Sequence, residues 1–258
     1  MSIKNCCANF YQTDLVRLLF GNSMHPGGLQ LTCELAQEMG IAKESRVLDI
    51  ACGLGTTAIF LAKKFGCHVT GIDLGSRNIE EANRLSLVGG VSQNTMFKVG
   101  DAEYIDCEDE IFDYVLSECS FCLFPDKRKS SEEMYRVLKK QGKVGISDIV
   151  VRKELHHNIK EALSNFVCIL EAKNELEYIG YLENAGFVNI KSYDKKQNIL
   201  SLIDEIKKRL FAAELLNGLG KLNITKNIDL DKTKNTIHEI KAYISSDIIS
   251  YALLIGHK

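Results

Sequence analysis

Three short apolar segments in the first half of the chain each lead into an aspartate, and this repeated pattern constrains the fold more than any other feature. Arg46–Ile50 (RVLDI) contains Asp49, Cys67–Ile72 (CHVTGI) is followed by Asp73, and Thr95–Val99 leads into Gly100-Asp101. Helical spacing follows the first two segments, over 56–64 and 78–87. Alternating strands and helices of these lengths predict a parallel, doubly wound sheet with helices on both faces.

The alternation continues to about residue 152 and then changes. We predict further strands over 112–116, 143–151, 187–193 and 250–255, and helices over 130–139, 156–170, 175–185 and 200–216. The segment 217–234 is polar and rich in Asn and Lys, and we predict a loop or a poorly packed insertion there. The fold class is therefore α/β, with a doubly wound, mostly parallel seven-stranded sheet, N-terminal helices and a helical insertion near the C-terminus.

Composition excludes several classes of partner. The 258 residues are 45% apolar and 26% charged, with a net charge of -2 and no long basic run, so we expect neither a nucleic-acid nor an anionic-membrane partner. No stretch approaches the ~18 apolar residues of a membrane span, and the N-terminus has no signal-peptide pattern. Nine cysteines, an odd count, argue against a disulfide scaffold and predict reduced thiols in the cytoplasm.

The turn after the first strand and the acids after the next two predict a nucleotide site. Gly53 and Gly55 allow the backbone to approach a ligand, and the helix that follows favours a negative group. Asp73 lies where a carboxylate accepts from both ribose hydroxyls, and Asp101, beside the Ala102 N–H, could accept from an adenine amino group. The dinucleotide fingerprint is not met, because its third glycine is replaced by an alanine.

Four segments in order, VLDIACGLG, VTGID, GDAE and FDYVLS, closely resemble class I S-adenosylmethionine (SAM)-dependent methyltransferases over residues 45–150. The resemblance implies SAM as cofactor and one methyltransferase domain over 1–258. Residues 1–44 would be an N-terminal helical cap, 45–152 the cofactor-binding core, and 153–258 the substrate-side helices and final strands. Ala51 stands where the family usually has glycine, so we expect slightly weaker cofactor binding.

The resemblance also implies roles for individual residues around the cofactor. The methionine part would lie against the first turn, the ribose against Asp73 and the adenine against Asp101 and Ala102. Ser117 and Glu118, after the fourth strand, would border the cofactor, and Tyr11 would either cap it or anchor an N-terminal helix. The expected cofactor-contacting residues are Tyr11, Asp49, Ala51, Cys52, Gly53, Gly55, Asp73, Leu74, Asp101, Ala102, Ser117 and Glu118.

The segment SECSFC places Cys119 and Cys122 three positions apart. A zinc site would need a second such pair, which is absent, and a redox pair would need a thioredoxin-like context. The segment, with the Pro125-Asp126-Lys127 that follows, instead resembles arsenite methyltransferases. That resemblance implies Cys119 and Cys168 as acceptor-contacting thiols and arsenic ligands, with Cys6 and Cys7 as weaker candidates. Cys122 is predicted to be a packing neighbour, and no resident metal is expected.

His25, which precedes Pro26-Gly27-Gly28, can be read either as a general base or as the start of a rigid turn. Three functions stay open. The first is methyl transfer to a small acceptor such as a thiol-bound trivalent metalloid. The second is methyl transfer to an organic O, N or C nucleophile, assisted by His25 or Glu118. The third is non-catalytic SAM binding. The expected partner is a small-molecule substrate, and a homo-oligomer is compatible with the sequence.

Overall fold

The computed structural model describes residues 25–155, 169, 171–218 and 230–258. Its seven-stranded sheet has the order β3-β2-β1-β4-β5-β7-β6, in which β7 alone runs antiparallel to its neighbours. The strands are β1 Arg46–Ile50, β2 His68–Asp73, β3 Thr95–Val99, β4 Phe112–Glu118, β5 Leu138–Val151, β6 Val188–Asp194 and β7 Ile249–His257. The expected α/β class with a mostly parallel, seven-stranded sheet is confirmed.

Seven α-helices are found in the described residues, together with a short 3₁₀ turn at Phe121–Leu123. The helices are α1 Gly28–Met39, α2 Thr56–Phe65, α3 Ser76–Val88, α4 Lys127–Val137, α5 Glu175–Ala185, α6 Lys196–Gly218 and α7 Leu230–Ser245. One apolar cluster joins the sheet to α1, α2, α3, α6 and α7, and a second joins it to α4 and α5. The sheet is therefore covered on both faces, which explains why every residue of β1 after Arg46 is buried.

The order of the strands reverses between β1 and β4. The chain moves outward from β1 through β2 to β3, then returns to place β4 on the other side of β1. Asp49 of β1 pairs with Gly71 on one side and Leu116 on the other. In an open α/β sheet, a crevice forms at such a switch point, outside the carboxyl ends of the strands.

The prediction of a loop over 217–234 is wrong at both of its ends. Residues 217–218 continue α6 and residues 230–234 begin α7, whereas 219–229 lie outside the described residues. The first turns of α7 are polar, which is why the sequence pattern indicated a loop. The later positions Ile237, Ile240 and Ile244 are buried in the core. Apolar residues at this spacing lie on one helix face, and tertiary burial outweighs the polar start.

The boundary between α4 and β5 also differs from its prediction. The helix was expected over 130–139, with a turn at Gln141-Gly142 before the strand. Instead Asp126 caps the helix by accepting from the Lys129 N–H at 2.9 Å, and β5 begins at Leu138. The expected turn is an irregularity inside the strand, since the register against β4 shifts between Leu138 and Lys143.

The helices between β6 and β7 are attached to α1. Lys195 Nζ, just before α6, bonds to Glu34 of α1, and a Cβ added at Gly27 would collide with the Asn198 side chain. This contact holds the start of α1 beside the first turn of α6. Within the described part of the chain, no helix has the length and apolar character needed to cross a bilayer.

Candidate active site

A cavity lies at the carboxyl ends of β1, β2 and β4 and beside the loop that follows β3, as the switch point predicts. Its acidic lining residues come from different strand ends: Asp49, Asp73, Asp101, Glu103 and Glu118. The remaining described residues around it are His25, Ile50, Ala51, Cys52, Gly53, Leu54, Thr56, Thr57, Leu74, Asn78, Gly100, Ala102, Cys119, Ser120, Leu123, Phe124 and Pro125. No lysine or arginine is among these described lining residues.

The turn between β1 and α2 uses left-handed backbone at three positions, with φ of 58° at Ala51, 52° at Gly53 and 72° at Gly55. A Cβ at Gly55 would lie 2.6 Å from the Phe97 ring, so this glycine is required by packing. A Cβ at Gly53 would meet none of the described atoms within 4 Å, so its side faces open space at the cavity. Ala51 holds the same conformation with a methyl group, which strains the backbone.

Asp73, the last residue of β2, is fixed in one orientation by three donors. Its Oδ2 accepts from the Gly53 N–H at 2.9 Å, and its Oδ1 accepts from the Gly75 N–H at 2.8 Å and the Asn78 amide at 3.1 Å. Each carboxylate oxygen can accept more than one hydrogen bond. Asp73 therefore connects the glycine turn to the start of α3 and retains the capacity to accept from a ligand hydroxyl.

Asp49 is a buried carboxyl group at the floor of the cavity, 3% exposed. Among the described residues, no hydrogen-bond donor reaches its Oδ2. Burial, followed by the negative charges of Glu118 and Asp73, raises its pKa well above the ordinary value. A positively charged ligand group would stabilise the ionised form of such a buried carboxyl. The site therefore favours a ligand with a cation near Asp49.

The loop after β3 forms another wall of the cavity. Asp101 Oδ1 accepts from the Glu103 N–H at 3.0 Å, and Glu103 in turn accepts from the Asp126 N–H at 2.9 Å. Ala102 is buried between these acids, and Leu74 is partly exposed at the rim. Alternating small apolar and carboxylate groups suit a flat heteroaromatic ring that carries an amino group.

Glu118, the last residue of β4, is the centre of a hydrogen-bond network. Thr57 of α2 donates to its Oε2 at 2.6 Å, and Thr32 of α1 lies 3.2 and 3.0 Å from its two oxygens. His25 Nε2 lies 3.5 Å from Glu118 Oε2 and 3.3 Å from the Thr32 hydroxyl. The carboxylate is 4% exposed, so a buried negative charge is stabilised by two hydroxyls and an imidazole.

The thiols differ in their relation to the cavity. Cys119 lines it with a left-handed φ of 54°, and its N–H donates to Ser147 O at 2.7 Å. Cys52 also lines the cavity, but burial raises the pKa of its thiol well above the usual value. Cys122 is fully buried in the second apolar cluster, away from the lining. Of the described thiols, Cys119 is thus the one that lines the cavity beside Glu118.

Several expected site residues do not reach the cavity or cannot be placed. Ser117 is fully buried, and its hydroxyl contacts Ser120 Oγ at 2.8 Å. Gly55 supports the turn without lining the cavity. Tyr11, Cys6, Cys7 and Cys168 lie outside the described residues.

Sequence reasoning missed several described residues that contribute to the site, and four of them matter most to its geometry. Thr32 and Thr57 hold Glu118, Asn78 holds Asp73, and Phe124 forms part of the wall. The only available signal was the spacing of His25 and Thr32, seven positions apart around the start of α1. His25 precedes α1, and the turn through Gly27 and Gly28, both with positive φ, brings it back to Thr32.

Comparisons with known proteins show the family of the chain. The family model described as "Methyltransferase domain" matches residues 41–206, more than half of the chain. The chain belongs to the methyltransferase family. A protein of Haemophilus influenzae without a described function is 30% identical over 181 residues, 69% of this chain and 72% of its own length. An arsenite methyltransferase of Halobacterium salinarum is 28% identical over 166 residues, 62% of this chain and 42% of its own.

Among solved structures, Haemonchus contortus phosphoethanolamine N-methyltransferase 2, in complex with phosphomonomethylethanolamine and S-adenosylhomocysteine, superposes on this methyltransferase with a TM-score of 0.85. The two are 24% identical, and the match covers all of this chain and 60% of the other, so it bears on the fold. Together with the family match, the resemblance to class I SAM-dependent methyltransferases is confirmed, and with it an enzyme that uses SAM. Asp49 fits this cofactor, because SAM carries an ammonium and a sulfonium.

Proposed function

We propose that this methyltransferase transfers the methyl group of SAM to an oxygen or nitrogen nucleophile of a small acceptor, with Glu118 accepting the proton that the acceptor loses. The observation that carries the proposal is the buried Glu118 carboxylate at the cavity, held by Thr32, Thr57 and His25. A protic nucleophile gains reactivity when a positioned base removes its proton during the transfer.

The cofactor residues follow from the same geometry. Asp49 would neutralise the ammonium of SAM, Asp73 would accept from the ribose hydroxyls, and Asp101 with Ala102 would bind the adenine edge. SAM supplies the electrophilic methyl group. The strand order supports this arrangement, since the donors and acceptors come from β1, β2, the loop after β3, and β4 in sequence.

His25 supports Glu118 through its position. The imidazole packs between Thr32 and Glu118, and its Nδ1 lies 3.3 Å from Pro26 O. An imidazole with both nitrogens beside protein oxygens is held in one orientation by these contacts. In this arrangement Glu118 receives the proton and His25 stabilises the network around it. The two readings of His25, a turn and a functional group, are then compatible.

The test is S-adenosylhomocysteine release from SAM with a panel of small primary amines and alcohols. We expect Glu118→Gln to lower kcat by about a hundredfold, the usual contribution of a general base, with the SAM Kd nearly unchanged. The surface pair His68–Glu44, joined at 3.1 Å, provides matched controls: Glu44→Gln and His68→Gln should keep full activity. Full activity of Glu118→Gln would overturn the role of Glu118.

A second candidate acceptor is a thiol-bound trivalent arsenic, favoured by the position of the Cys119 thiol at the cavity beside Glu118. The similarity to an arsenite methyltransferase supports it. Trivalent arsenic binds thiolates strongly, and its lone pair would attack the methyl group directly. The partner thiol would be Cys168, with Cys6 and Cys7 as weaker candidates.

The arsenic candidate is tested with arsenite plus glutathione as acceptor, for wild type, Cys119→Ser and Cys168→Ser. Cys107→Ser is the matched control, because Cys107 is half-buried and does not line the cavity. Arsenite-dependent turnover that is lost in the Cys119 and Cys168 variants would establish this acceptor. Tight SAM binding without turnover on any acceptor would favour the non-catalytic role. We also propose a cytoplasmic location, on the cysteine content.

A further inference from the structure

The 3₁₀ turn Phe121–Leu123 forms a wall of the cavity next to Cys119. Ser120, Leu123 and Phe124 face the cavity on its front, whereas Phe121 and Cys122 are fully buried behind it. The Phe121 ring packs edge-on against Phe124 at 5.7 Å between centroids and against Tyr178 at 5.4 Å. The wall thus consists of a short non-repetitive segment whose position depends on what lies behind it.

Asp148 of β5 holds the amino side of this turn from behind. Its Oδ2 accepts from the Cys122 N–H at 2.9 Å, and the Cys122 thiol also bonds to the carboxylate. Its Oδ1 accepts from the Ile149 N–H at 2.7 Å. Asp148 is 1% exposed and does not line the cavity, so it contacts the wall without reaching a ligand.

Lys127 holds the carbonyl side of the same turn. Its Nζ donates to Cys122 O at 2.7 Å and to Phe124 O at 3.0 Å, and the residue is 6% exposed. A buried ammonium costs several kcal/mol unless it is hydrogen-bonded and compensated by charge. The opposite charge of Asp148 provides part of that compensation, because each of the two groups favours the charged form of the other.

We propose that Asp148 and Lys127 are positioning residues, forming a buried clamp that fixes the acceptor-side wall at Ser120–Phe124 relative to the cofactor. The role in acceptor binding rests on the proposed function. Asp148 bonds to the N–H and the thiol of Cys122. Lys127 bonds to the carbonyl oxygens of Cys122 and Phe124, so the peptide units on both sides of Cys122 are held. The Pro125-Asp126-Lys127 segment acquires a role in this way: Asp126 caps α4 and Lys127 returns to the turn.

The experiment compares Asp148→Ala, Asp148→Asn and Lys127→Met with wild type, all as the full chain with S-adenosylhomocysteine bound. Asp113→Ala is the matched control. Asp113 also accepts from a backbone N–H, that of Arg46 at 2.8 Å, and pairs with Lys139 at 2.7 Å, but it lies at the opposite end of β4. Three quantities are measured: hydrogen exchange of peptides covering 118–126, alkylation of Cys119 by iodoacetamide, and S-adenosylhomocysteine Kd.

We expect exchange over 119–125 to rise about tenfold in the clamp variants, as the loss of one charge-assisted hydrogen bond implies. Cys119 alkylation should change in the same variants, while the Kd for S-adenosylhomocysteine stays within about threefold, because neither clamp residue lines the cavity. For an acceptor that turns over, KM for the acceptor should rise more than KM for SAM. Asp148→Asn, which keeps one acceptor oxygen, should lie between Asp148→Ala and wild type.

Exchange that stays at the wild-type rate in Asp148→Ala and Lys127→Met would overturn the proposal. So would an equal rise in Asp113→Ala, since that would report general loosening of the sheet. If Asp148→Ala does not fold, the same three measurements on Lys127→Met test the proposal. Hydrogen exchange, alkylation and S-adenosylhomocysteine binding are all measured without an acceptor. The proposal for Asp148 and Lys127 is therefore tested even if no proposed acceptor is methylated.

Discussion

The Thr57 hydroxyl donates a hydrogen bond of 2.6 Å to the Glu118 carboxylate. Thr57 lies in the first turn of α2, directly after the glycine turn, whereas Glu118 ends β4. The helix that follows the glycine turn therefore also orients the Glu118 carboxylate in the cavity. Movement of the glycine turn would be transmitted to Glu118 through this bond.

Replacing Thr57 tests that connection. Thr57→Val keeps the shape and removes the hydroxyl, so we expect kcat for the best acceptor to fall about tenfold, the effect of losing one hydrogen bond to a charged group. Thr57→Ser keeps the donor and should restore most of the rate. Steady-state kinetics with SAM saturating make the comparison. Equal losses in both variants would assign the effect to packing.

Asp49 predicts proton release when SAM binds. Its pKa is raised by burial, then by the charges of Glu118 and Asp73, so the ligand-free enzyme keeps a proton on this carboxyl to a higher pH than an ordinary aspartate does. A bound cation favours the ionised carboxyl, so binding expels the proton and affinity rises with pH. Titration calorimetry in buffers of different ionisation enthalpy measures the release. Asp49→Asn should bind more weakly and release none; unchanged release in that variant would assign the proton elsewhere.

Ala51→Gly should stabilise the protein. Ala51 has a φ of 58°, where a Cβ costs roughly 1–2 kcal/mol, partly offset by the greater unfolded-state freedom of glycine. The expected net gain is about 0.5–1 kcal/mol in the free energy of unfolding. The matched control is Ala212→Gly in the exposed face of α6, which should lose about 1 kcal/mol. Denaturant titration of both variants measures the change in the free energy of unfolding. A lower free energy of unfolding in Ala51→Gly would contradict backbone strain at Ala51.

Gly53→Ala and Gly55→Ala should differ in how much stability and how much cofactor affinity they lose. A methyl at Gly55 collides with Phe97, so that variant should lose roughly 2 kcal/mol or more of stability through strain and overpacking. A methyl at Gly53 meets open space at the cavity and carries only the strain of its left-handed φ of 52°, so that variant should lose less stability than the Gly55 variant and should also lose cofactor affinity. Thermal unfolding with and without S-adenosylhomocysteine separates the two effects. A Gly53 variant with normal affinity would show that the ligand stays away from this edge.

Asp148 predicts a pH dependence of stability. Burial raises its pKa from 3.8 to about 6, so the folded protein binds a proton more strongly than the unfolded chain in this range. The stability contribution is fully present below about pH 4 and is lost as pH rises to about 6, by roughly 2–3 kcal/mol. Asp148→Asn cannot titrate, so the wild type should lose stability relative to it across this window. Parallel pH curves for the two proteins would contradict the prediction.

The strands and the acids that line the cavity were predictable because both follow from local patterns. Each parallel strand is a short apolar run bounded by glycine or acid, and the end of each strand fixes where Asp49, Asp73 and Asp101 lie. The Glu118 network was not predictable in full. Thr32 and Glu118 are 86 positions apart, and their contact depends on how α1 crosses the sheet.

The helix α7 and the contacts of Asp148 and Lys127 also could not be predicted from local sequence patterns. Ile237, Ile240 and Ile244 have helical spacing, but the polar residues before them dominate the local pattern. Asp148 and Lys127 resemble surface charges in the sequence, since both residue types are mostly exposed in proteins. Only the tertiary structure shows that the turn before α4 covers them and supplies their partners.

The position of β7 has a consequence for the order of folding. β7 comes last of the seven strands in the chain yet lies between β5 and β6, pairing Lys143 with His257 across more than a hundred residues. The strands from β1 to β5 can assemble through nearer contacts, but β6 cannot join the sheet until β7 arrives. We therefore expect the half of the sheet that contains the cofactor turn to form first, with the antiparallel edge added in a later and slower step.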